Sequence, residues 1–597
     1  MEKDLSFGEM KKVLNASSYD DLNTFNLTIL RNIVLDPIET PAKYFARQSG
    51  LRAEIVFGEY DNVFQDSLDS KKIAEGTDAV LIVTPLHALS PKLASSFSTL
   101  SETDVIDECA YVKEFISSVL ANIRTLNREA YIFMLSFESP YLPSMGIHDW
   151  RMARGQLRTI EELNADIALL AGQFSNTYCL NANQILNKIG GDDFYDWRYW
   201  HVARALYSRQ TLIGVSRLLF DSLDILLGKT KKCLVLDCDN TLWGGVVGED
   251  SLSGIKLGSD YPGSCYLAFQ EAVLELYHQG VIIALCSKNN EEDVVEVFDN
   301  HPAMLIKLEH IAVKKINWID KVSNLQDIAM QLNLSVDSLV FVDDSRYEIE
   351  LVESKLPQVR TLWLDNSESV VSAQKLRSLR CFDKMTLTDE DRKRGKMYQA
   401  HTKRVEMTQA TNIDDYLSSL NMQVSVFLST PVDIPRLAQQ TQKTNQFNLS
   451  TKRYTENDIR SFIDSQEFDV VAVKVKDRFG DLGIVGTAIL QYLGRDVVLD
   501  TFLLSCRALG RKLEFVFLNE ILAYCKRHRR NTLTINYVPT RKNVQVREFL
   551  IEYGLGEAEA EDQDLRSEIQ LNIESVVTLA LDSCEIDNSG LHSDGSK

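Results

Sequence analysis

The sequence lacks paired cysteines and long apolar segments. Its ten cysteines are scattered without a CxxC pair, which argues against a disulfide framework and against a zinc site. No stretch approaches the roughly 20 apolar residues of a membrane-spanning helix. The N-terminal segment MEKDLSFGEMKKVLN carries acids where a signal peptide would have its apolar core. These absences predict a soluble protein in a reducing, cytoplasmic setting.

Positive charge is also scarce. The 64 Lys and Arg residues are outnumbered by 85 Asp and Glu residues, which leaves a formal net charge of −21. Such a field repels nucleic acids and anionic membranes, so neither is expected as a partner. A phosphorylated small molecule is compatible with this charge, because a local cluster of amides, lysine and metal decides its binding.

The length of 597 residues suggests about three or four domains. Apolar runs that alternate with amphipathic helical segments predict an α/β fold with several domains. We place an α/β domain at residues 1–228, a central domain with a parallel sheet at 229–365, a helical connector at 366–412, a third α/β domain at 413–581 and a disordered tail at 582–597.

The most informative peptide is LDCDNT at residues 236–241, where an apolar strand ends on two carboxylates, Asp237 and Asp239. Two like charges this close need a cation, and Mg²⁺ is the usual one where a phosphate shares the site. One carboxylate can attack phosphorus while the other protonates the leaving group and later activates water. We therefore predict Asp237 as nucleophile, Asp239 as acid and base, and both as metal ligands. The alternative is a strand-end turn whose aspartates cap a helix.

Three later clusters supply what this chemistry still needs. Ser287 ends the apolar run VIIALCS, where its hydroxyl can bind phosphate oxygens, and Lys321 can offset charge on the phosphoryl group. Asp343 and Asp344 end the run SLVFVDD and complete an acidic metal shell. Taken singly, Ser287 and Lys321 could be ordinary surface residues. In open α/β sheets, however, the ligand crevice lies outside the carboxyl ends of the strands, so we expect these segments to share one pocket.

These motifs resemble the haloacid dehalogenase superfamily of phosphotransferases, subfamily IIIC. The longer peptides resemble its FkbH-like family: LDCDNTLWGGVVGED (236–250), CSKNNEEDV (286–294), NWIDKVSNL (317–325) and FVDDSRYEIELV (341–352). The resemblance implies a central HAD-like Rossmannoid parallel sheet and a Mg²⁺-dependent enzyme. It implies an enzyme that takes the glyceryl unit from 1,3-bisphosphoglycerate, dephosphorylates it and loads it as a thioester onto an acyl carrier protein in polyketide-type biosynthesis.

Two other functions remain open at this point. One is a phosphatase fused to a coenzyme-A-dependent acyltransferase that acts in surface-polysaccharide biosynthesis. The other is a non-enzymatic scaffold that docks a carrier protein. The retention of both carboxylates in LDCDNT, together with the later Ser, Lys and Asp pair, argues against an inactive scaffold.

Thioester formation needs a thiolate, and the resemblance makes Cys238 the natural site for a transient glyceryl thioester. Side chains alternate across a strand, however, so a regular strand would point this thiol away from Asp237 and Asp239. Neighbouring carboxylates would also raise its pKa. The alternative interpretation of Cys238 is a small packed residue.

A second thiol, Cys506, opens the peptide SCRALGR at a strand-to-helix junction. The peptide resembles the acetyl-coenzyme-A loop of the GNAT acetyltransferase fold, which implies a GNAT-like C-terminal domain. Such a loop could bind coenzyme A or the phosphopantetheine arm of a carrier protein, with Arg507, Gly510 and Arg511 contacting phosphate. An ordinary helix N-terminus is the alternative, and the departure from a strict RxxGxG/A pattern leaves acetyl-coenzyme-A use open.

The N-terminal domain resembles an SGNH-type, flavodoxin-like hydrolase scaffold. It has no GDS-like block, and Asp196 and His201 depart from the expected DxxH spacing. We therefore expect a degenerate scaffold that packs on the phosphotransfer domain or docks a carrier protein. The aromatic residues of its peptide YDWRYWH (195–201) are expected in the core or at a domain interface.

Overall fold

The computed structural model describes residues 5–16, 22–74, 76–385, 388, 394, 397–398, 420–444, 446–478, 480–505, 508–509, 511–540, 543–555, 567–574 and 584–591. The chain divides into two compact units, Met1–Asp224 and Ile225–Lys597. None of the helices in this described part combines the length and apolar character that a membrane crossing requires.

The first unit is built on a five-stranded sheet in which all neighbouring strands pair in parallel. Its strands are β1 (Asn23–Arg31), β2 (Leu51–Phe57), β3 (Ala79–Val83), β4 (Tyr131–Leu135) and β5 (Thr177–Leu180), in the spatial order β2-β1-β3-β4-β5. Every residue of β3 is buried. This pattern is typical of a parallel sheet covered on both faces, which is why its strands appear as continuous apolar runs in the sequence.

Helices connect these strands. They are α1 (Phe7–Asn15), α2 (Glu39–Gln48), α3 (Val63–Asp66), α4 (Leu86–Leu89), α5 (Pro91–Ser95), α6 (Glu102–Leu126), α7 (Gln156–Ala171), α8 (Ala182–Ile189), α9 (Gly191–Phe194), α10 (Trp197–Ala203) and α11 (Arg209–Leu226). The longest, α6, begins with a capping box in which Ser101 and Asp104 satisfy each other's backbone N–H groups. It buries Val112, Ile116 and Leu120 along one face.

The second unit begins with another parallel sheet. Its strands are β6 (Cys233–Leu236), β7 (Ile282–Ser287), β8 (Ile311–Ile316), β9 (Leu339–Asp343) and β10 (Arg360–Trp363), in the spatial order β10-β9-β6-β7-β8. Its helices are α12 (Val247–Gly254), α13 (Gly263–His278), α14 (Glu291–Asn300), α15 (Lys321–Gln331), α16 (Arg346–Lys355) and α17 (Ser372–Arg377). The side chains of β6 alternate between two apolar clusters, one on each face of the sheet. This arrangement places the ends of β6, β7 and β9 side by side.

The central domain extends beyond the predicted boundary at residue 365. Leu364, Ala373, Leu376 and Phe382 are buried in the same apolar cluster as α13. Residues 366–382 therefore complete the central core and are not part of a connector. The prediction failed because the polar composition of this segment hides its few core positions. The rest of the predicted connector lies largely outside the described residues.

Replacing Leu376 by alanine tests this boundary. The Leu376 side chain is fully enclosed, so its truncation should lower the free energy of unfolding of the central domain by about 2–5 kcal/mol. The matched control is Gln374→Ala, because Gln374 is exposed on the same helix. A urea titration of the full chain, followed by circular dichroism, measures the effect. Equal midpoints for both variants would contradict the placement of α17 in the core.

The C-terminal region forms a seven-stranded mixed sheet. Its strands are β11 (Met422–Leu428), β12 (Phe468–Asp477), β13 (Gly480–Leu493), β14 (Asp496–Leu504), β15 (Thr532–Tyr537), β16 (Ser567–Asn572) and β17 (Cys584–Asp587), in the spatial order β16-β15-β14-β13-β12-β11-β17. Its helices are α18 (Ile434–Lys443), α19 (Glu456–Asp464), α20 (Leu513–Arg527) and α21 (Val544–Glu552). Most strand pairs are antiparallel, but β14 pairs with β15, and β11 with β17, in parallel.

The prediction of a disordered tail at 582–597 is wrong for residues 584–591. Cys584–Asp587 forms the edge strand β17, which pairs with β11, and Leu591 is buried in the core of this region. The tail carries few apolar residues because an edge strand is held mainly by backbone hydrogen bonds. Residues 592–597 lie outside the described part of the chain.

Candidate active site

The carboxyl ends of three adjacent parallel strands meet at one edge of the central sheet. Asp237 directly follows β6, Ser287 ends β7 and Asp343 ends β9. The strand β6 pairs with both β7 and β9, so the three residues are neighbours by register. Lys321 opens α15, the helix that follows β8. The structure therefore brings together the four segments that the sequence predicts to share a pocket.

Lys321 lies between two of the predicted carboxylates. Its Nζ is 3.1 Å from Asp237 Oδ1 and donates a hydrogen bond to Asp343 Oδ2. Only 3% of the lysine side chain is exposed. Burial alone would lower the pKa of Lys321, but the charges of Asp237 and Asp343 outweigh it and raise the pKa. The lysine is therefore held as a cation against the predicted nucleophile.

Among the described residues, Asp237, Asp343 and Asp344 form a group that could hold a metal ion. Each offers a carboxylate oxygen, and these oxygens lie within 4.8 Å of one another. Asp237 Oδ1 is buried, and it forms an ion pair with Lys321 but accepts no hydrogen bond from the described residues. Burial raises the pKa of both Asp343 and Asp344, and the nearby charge of Asp237 acts in the same direction. An oxygen-only donor set with unbalanced negative charge suits Mg²⁺.

The structure keeps the carboxylate of Asp239 apart from this group. Its Oδ1 accepts hydrogen bonds from Trp243 Nε1 at 2.9 Å and from the backbone N–H of Val247 at 3.0 Å, and its Oδ2 accepts one from Asn289 Nδ2 at 2.7 Å. Both oxygens are thus already hydrogen-bonded, and the arrangement does not support the prediction that this side chain binds the metal. Burial raises the pKa of Asp239, and the three hydrogen bonds act in the opposite direction. A raised pKa suits the predicted role as general acid.

A tight loop after Asp239 holds this geometry. Asn240 adopts a left-handed conformation with φ of 54°, and its Oδ1 accepts a hydrogen bond from the N–H of Gly245 at 2.8 Å. Gly245 has φ of 97°, and a Cβ there would lie 2.5 Å from Asp250 Oδ2. The peptide NTLWGG therefore returns the chain so that Trp243 and Val247 reach Asp239.

Polar side chains after β7 donate hydrogen bonds to carboxylates around the site. Ser287 is buried at the strand end, as predicted. Asn289 holds Asp239, and Lys288 Nζ donates to Glu348 Oε1 at 2.7 Å. Lys288 and Asn289 therefore position carboxylates around the site. The composition of the peptide SKNN could not specify these partners, because Glu348 is 60 residues away in the sequence.

The thiol of Cys238 is fully buried in the apolar cluster that also contains Leu236 and Leu242. Burial raises its pKa well above the ordinary value, and the charge of Asp237 raises it further. These conditions disfavour the thiolate that thioester formation needs. The geometry agrees with the alternative interpretation, a small packed residue, whose thiol also interacts with the Ser287 hydroxyl.

The predicted phosphate-binding loop is described only in part. Cys506, Arg507 and Gly510 lie outside the described residues. Arg511 is buried, with its Nη1 3.7 Å from Asp477 Oδ2. This carboxylate neighbour makes Arg511 a partner of Asp477, whereas the sequence predicted it as a phosphate ligand.

The segment Phe447–Leu449 forms backbone hydrogen bonds both to β14 and to the residue that follows β15. The two strands pair only over Val497–Leu499 and Leu533–Ile535. Beyond them, the N–H groups of Leu449 and Leu504 form hydrogen bonds of 3.0 Å that join the segment Phe447–Leu449 to β14. The N–H of Val538 donates to the carbonyl of Leu449, also at 3.0 Å. These backbone groups are therefore paired within the protein.

In the N-terminal unit the residues singled out by the sequence do not form a catalytic pair. Asp196 caps α10 by accepting a hydrogen bond from the N–H of Tyr199 at 3.0 Å, and His201 is exposed on that helix. Tyr195 is buried as expected, whereas Trp197 and Tyr199 are about half exposed.

Comparisons with known proteins agree with this site. Residues 232–381 match the model of the NLI interacting factor-like phosphatase family. The N-terminal part of BF1531 from Bacteroides fragilis, which contains a phosphatase domain and was solved with Mg, is 25% identical with a TM-score of 0.57. The match covers 64% of this chain and 100% of that one. A search of curated proteins found no match.

Two acetyltransferases of known structure resemble about a quarter of the chain. Ard1 from Thermoplasma volcanium is 15% identical over 25% of this chain and 97% of its own, with a TM-score of 0.20. The PaiA N-acetyltransferase from Thermoplasma acidophilum, solved with coenzyme A, is 14% identical over 25% of this chain and 98% of its own, with a TM-score of 0.18. These scores are too low to carry an argument about the C-terminal region. The family match and the strand-end aspartates together show that residues 232–381 form a phosphatase domain of the haloacid dehalogenase type.

Proposed function

We propose that this domain transfers a phosphoryl group from its substrate to Asp237 and then to water. A carboxylate oxygen of Asp237 attacks phosphorus, the bond from phosphorus to the leaving oxygen breaks, and Asp239 gives that oxygen its proton. Asp239 then takes a proton from the water that attacks the aspartyl-phosphate, which restores Asp237. The observation that carries this proposal is the buried Lys321 held between Asp237 and Asp343, with Asp239 set apart by its own hydrogen bonds.

The carboxylates of Asp237, Asp343 and Asp344 would hold Mg²⁺, which neutralises charge on the phosphoryl oxygens when bound. Lys321 supplies a fixed positive charge that offsets the negative charge of the nucleophile and of the phosphoryl group. Because the lysine is buried, this electrostatic effect acts in a medium with little screening by water.

Replacing Lys321 by methionine removes this charge and keeps the length of the side chain. We expect kcat to fall by about 10²–10³-fold at saturating Mg²⁺. The matched control is Lys314→Met on β8, because Lys314 is partly exposed and pairs with Glu291 away from the site. Release of phosphate from 4-nitrophenyl phosphate measures both variants. Equal rates for the two would show that Lys321 does not act on the reacting phosphoryl group.

The sequence resemblance supports a narrower proposal for the substrate. We propose that the chain accepts 1,3-bisphosphoglycerate and passes its glyceryl unit to the pantetheine thiol of an acyl carrier protein. The pantetheine thiolate attacks the acyl carbon of 1,3-bisphosphoglycerate, the bond from that carbon to the phosphate oxygen breaks, and inorganic phosphate leaves. The phosphate ester at the other end of the glyceryl unit is hydrolysed at Asp237. Since Cys238 is buried with a raised pKa, we assign no acyl-enzyme step to it.

Intact-mass measurement of enzyme and carrier protein tests this narrower proposal. With 1,3-bisphosphoglycerate, a carrier protein bearing a glyceryl thioester that hydroxylamine removes supports it. Phosphate release with no acylated carrier would contradict it and would favour the fused phosphatase and coenzyme-A-dependent acyltransferase. Asp237→Asn serves as a control. The aspartyl-phosphate of the enzyme is also sensitive to hydroxylamine, and this variant cannot form it.

A further inference from the structure

A second polar cluster lies at the carboxyl edge of the N-terminal sheet. Asn32 follows β1 and Thr84 follows β3, and the two strands pair in parallel up to Arg31 and Val83. Both side chains are buried. Neither Asn32 Oδ1 nor Thr84 Oγ1 has a hydrogen-bond partner within the described residues. Two adjacent strand ends thus present buried polar atoms that the protein itself leaves unsatisfied.

His87 and Glu138 extend this cluster from the segments after β3 and β4. The Glu138 side chain is only 3% exposed, and its Oε1 lies 3.5 Å from His87 Nδ1. Neither atom makes a hydrogen bond to any described residue. The other carboxylate oxygen, Oε2, accepts a hydrogen bond from Tyr207 Oη at 3.4 Å. Glu138 Oε1 faces the His87 ring and accepts no hydrogen bond from the described residues, while the Tyr195 hydroxyl also interacts with this carboxylate.

Unsatisfied polar atoms in a protein interior are rare because burial strips them of water without replacing its hydrogen bonds. Four of them lie on three neighbouring strand-end segments here, and two of the four, His87 Nδ1 and Glu138 Oε1, are 3.5 Å apart as an ion pair without a hydrogen bond. Such a cluster lowers the stability of the fold. A bound molecule that forms the missing hydrogen bonds would account for its presence. The edge of the sheet where it lies is also where open parallel sheets bind ligands.

Aromatic rings border the cluster. The centroids of Tyr195 and Trp197 lie 5.4 and 5.5 Å from that of the His87 ring. Trp197 keeps 47% of its surface exposed although it packs on Tyr195. The cluster therefore has an indole beside it that is open to solvent.

We propose that Asn32, Thr84, His87 and Glu138 form a binding site for a small neutral molecule with several hydroxyl groups, which stacks on Trp197. Asn32 Oδ1 and Glu138 Oε1 are acceptors, so the ligand must donate hydrogen bonds, as hydroxyl groups do. The carboxylate of Glu138 disfavours an anion. Tyr195 and Trp197 already pack against His87, so the exposed indole of Trp197 is one open ring and does not form the enclosing aromatic cage that cation recognition uses. This site is independent of the phosphatase chemistry and lies in the other compact unit of the chain.

Saturation-transfer NMR and calorimetric titration of the full chain test this site, with glycerol, D-glucose and N-acetyl-D-glucosamine as neutral probes and gluconate and choline as charged ones. We expect saturable binding of at least one neutral probe. Glu138→Gln should weaken it by about 10-fold or more, since a hydrogen bond to a charged group is lost. Trp197→Ala should also weaken it. The matched control is Tyr199→Ala, an exposed aromatic residue on the same helix, which should leave binding unchanged.

A stability measurement separates this site from a purely structural cluster. Because Glu138→Gln removes a buried charge with an unsatisfied oxygen, we expect the melting temperature without a probe to stay equal or rise. A lower melting temperature with unchanged probe binding would contradict the proposal. The absence of saturable binding by every neutral probe would also overturn it, as would tighter binding of gluconate or choline.

Discussion

Replacing Asp237 by asparagine should lower the rate of phosphate release by about 10⁴-fold or more. The amide cannot form the aspartyl-phosphate, and removal of a nucleophile typically costs this much or more because the other groups act through it. The fold should persist, since asparagine has the same shape and relieves repulsion with Asp343. Single-turnover release of phosphate from 4-nitrophenyl phosphate measures the loss.

Asp299→Asn is the control for this variant. Asp299 is exposed on α14, and its replacement should leave the rate unchanged. If Asp237→Asn released phosphate at the rate of the unsubstituted chain, then another group would be the nucleophile, and the assignment made from the strand-end geometry would be wrong.

Replacing Asp239 by asparagine should lower kcat by about 10²–10⁴-fold, the usual contribution of a general acid or base. The loss should be larger for an alkyl phosphate than for 4-nitrophenyl phosphate, because 4-nitrophenolate leaves without a proton. Asp239 acts as an acid only while protonated, so protonation of the leaving group declines as pH rises through its pKa. Burial raises this pKa, so the descending limb of the pH–rate profile should lie at a higher pH than it would for an ordinary aspartate. The asparagine variant should lack the limb.

Asn289→Ala provides a sharper form of the same test. The hydrogen bond from Asn289 stabilises the carboxylate of Asp239 and acts to lower its pKa. Its removal should shift the limb further towards high pH, while kcat on the low-pH side changes little. A pH profile that stays the same in both Asp239→Asn and Asn289→Ala would show that Asp239 is not the acid.

The sequence alone was sufficient to predict the central strands and the position of the site. The runs that became β6, β7 and β9 are continuous and apolar because both faces of a parallel sheet are buried. Each run ends in a polar residue, and parallel strands bring such ends to one edge. The meeting of Asp237, Ser287 and Asp343 follows from these two facts, whereas Lys321 reaches the same edge from the start of α15.

Other features depend on contacts between distant segments and could not be predicted. The donors around Asp239 come from a loop turned by Asn240 and from the segment after β7. Glu138 and His87 meet across 51 positions of sequence (138 − 87), although neither belongs to a recognisable motif. The tail strand β17 forms by pairing with the edge of a sheet, which leaves almost no apolar pattern in its own residues.

The most direct test of the central claim is to trap the phosphoryl group on the protein. The full chain is mixed with substrate and Mg²⁺, quenched within one turnover and treated with borohydride, which reduces an aspartyl-phosphate to homoserine. Peptide mapping should find homoserine at position 237 in the presence of Mg²⁺, and only aspartate there when Mg²⁺ is chelated. Phosphate release without modification of Asp237, or modification at Asp239 instead, would contradict the account.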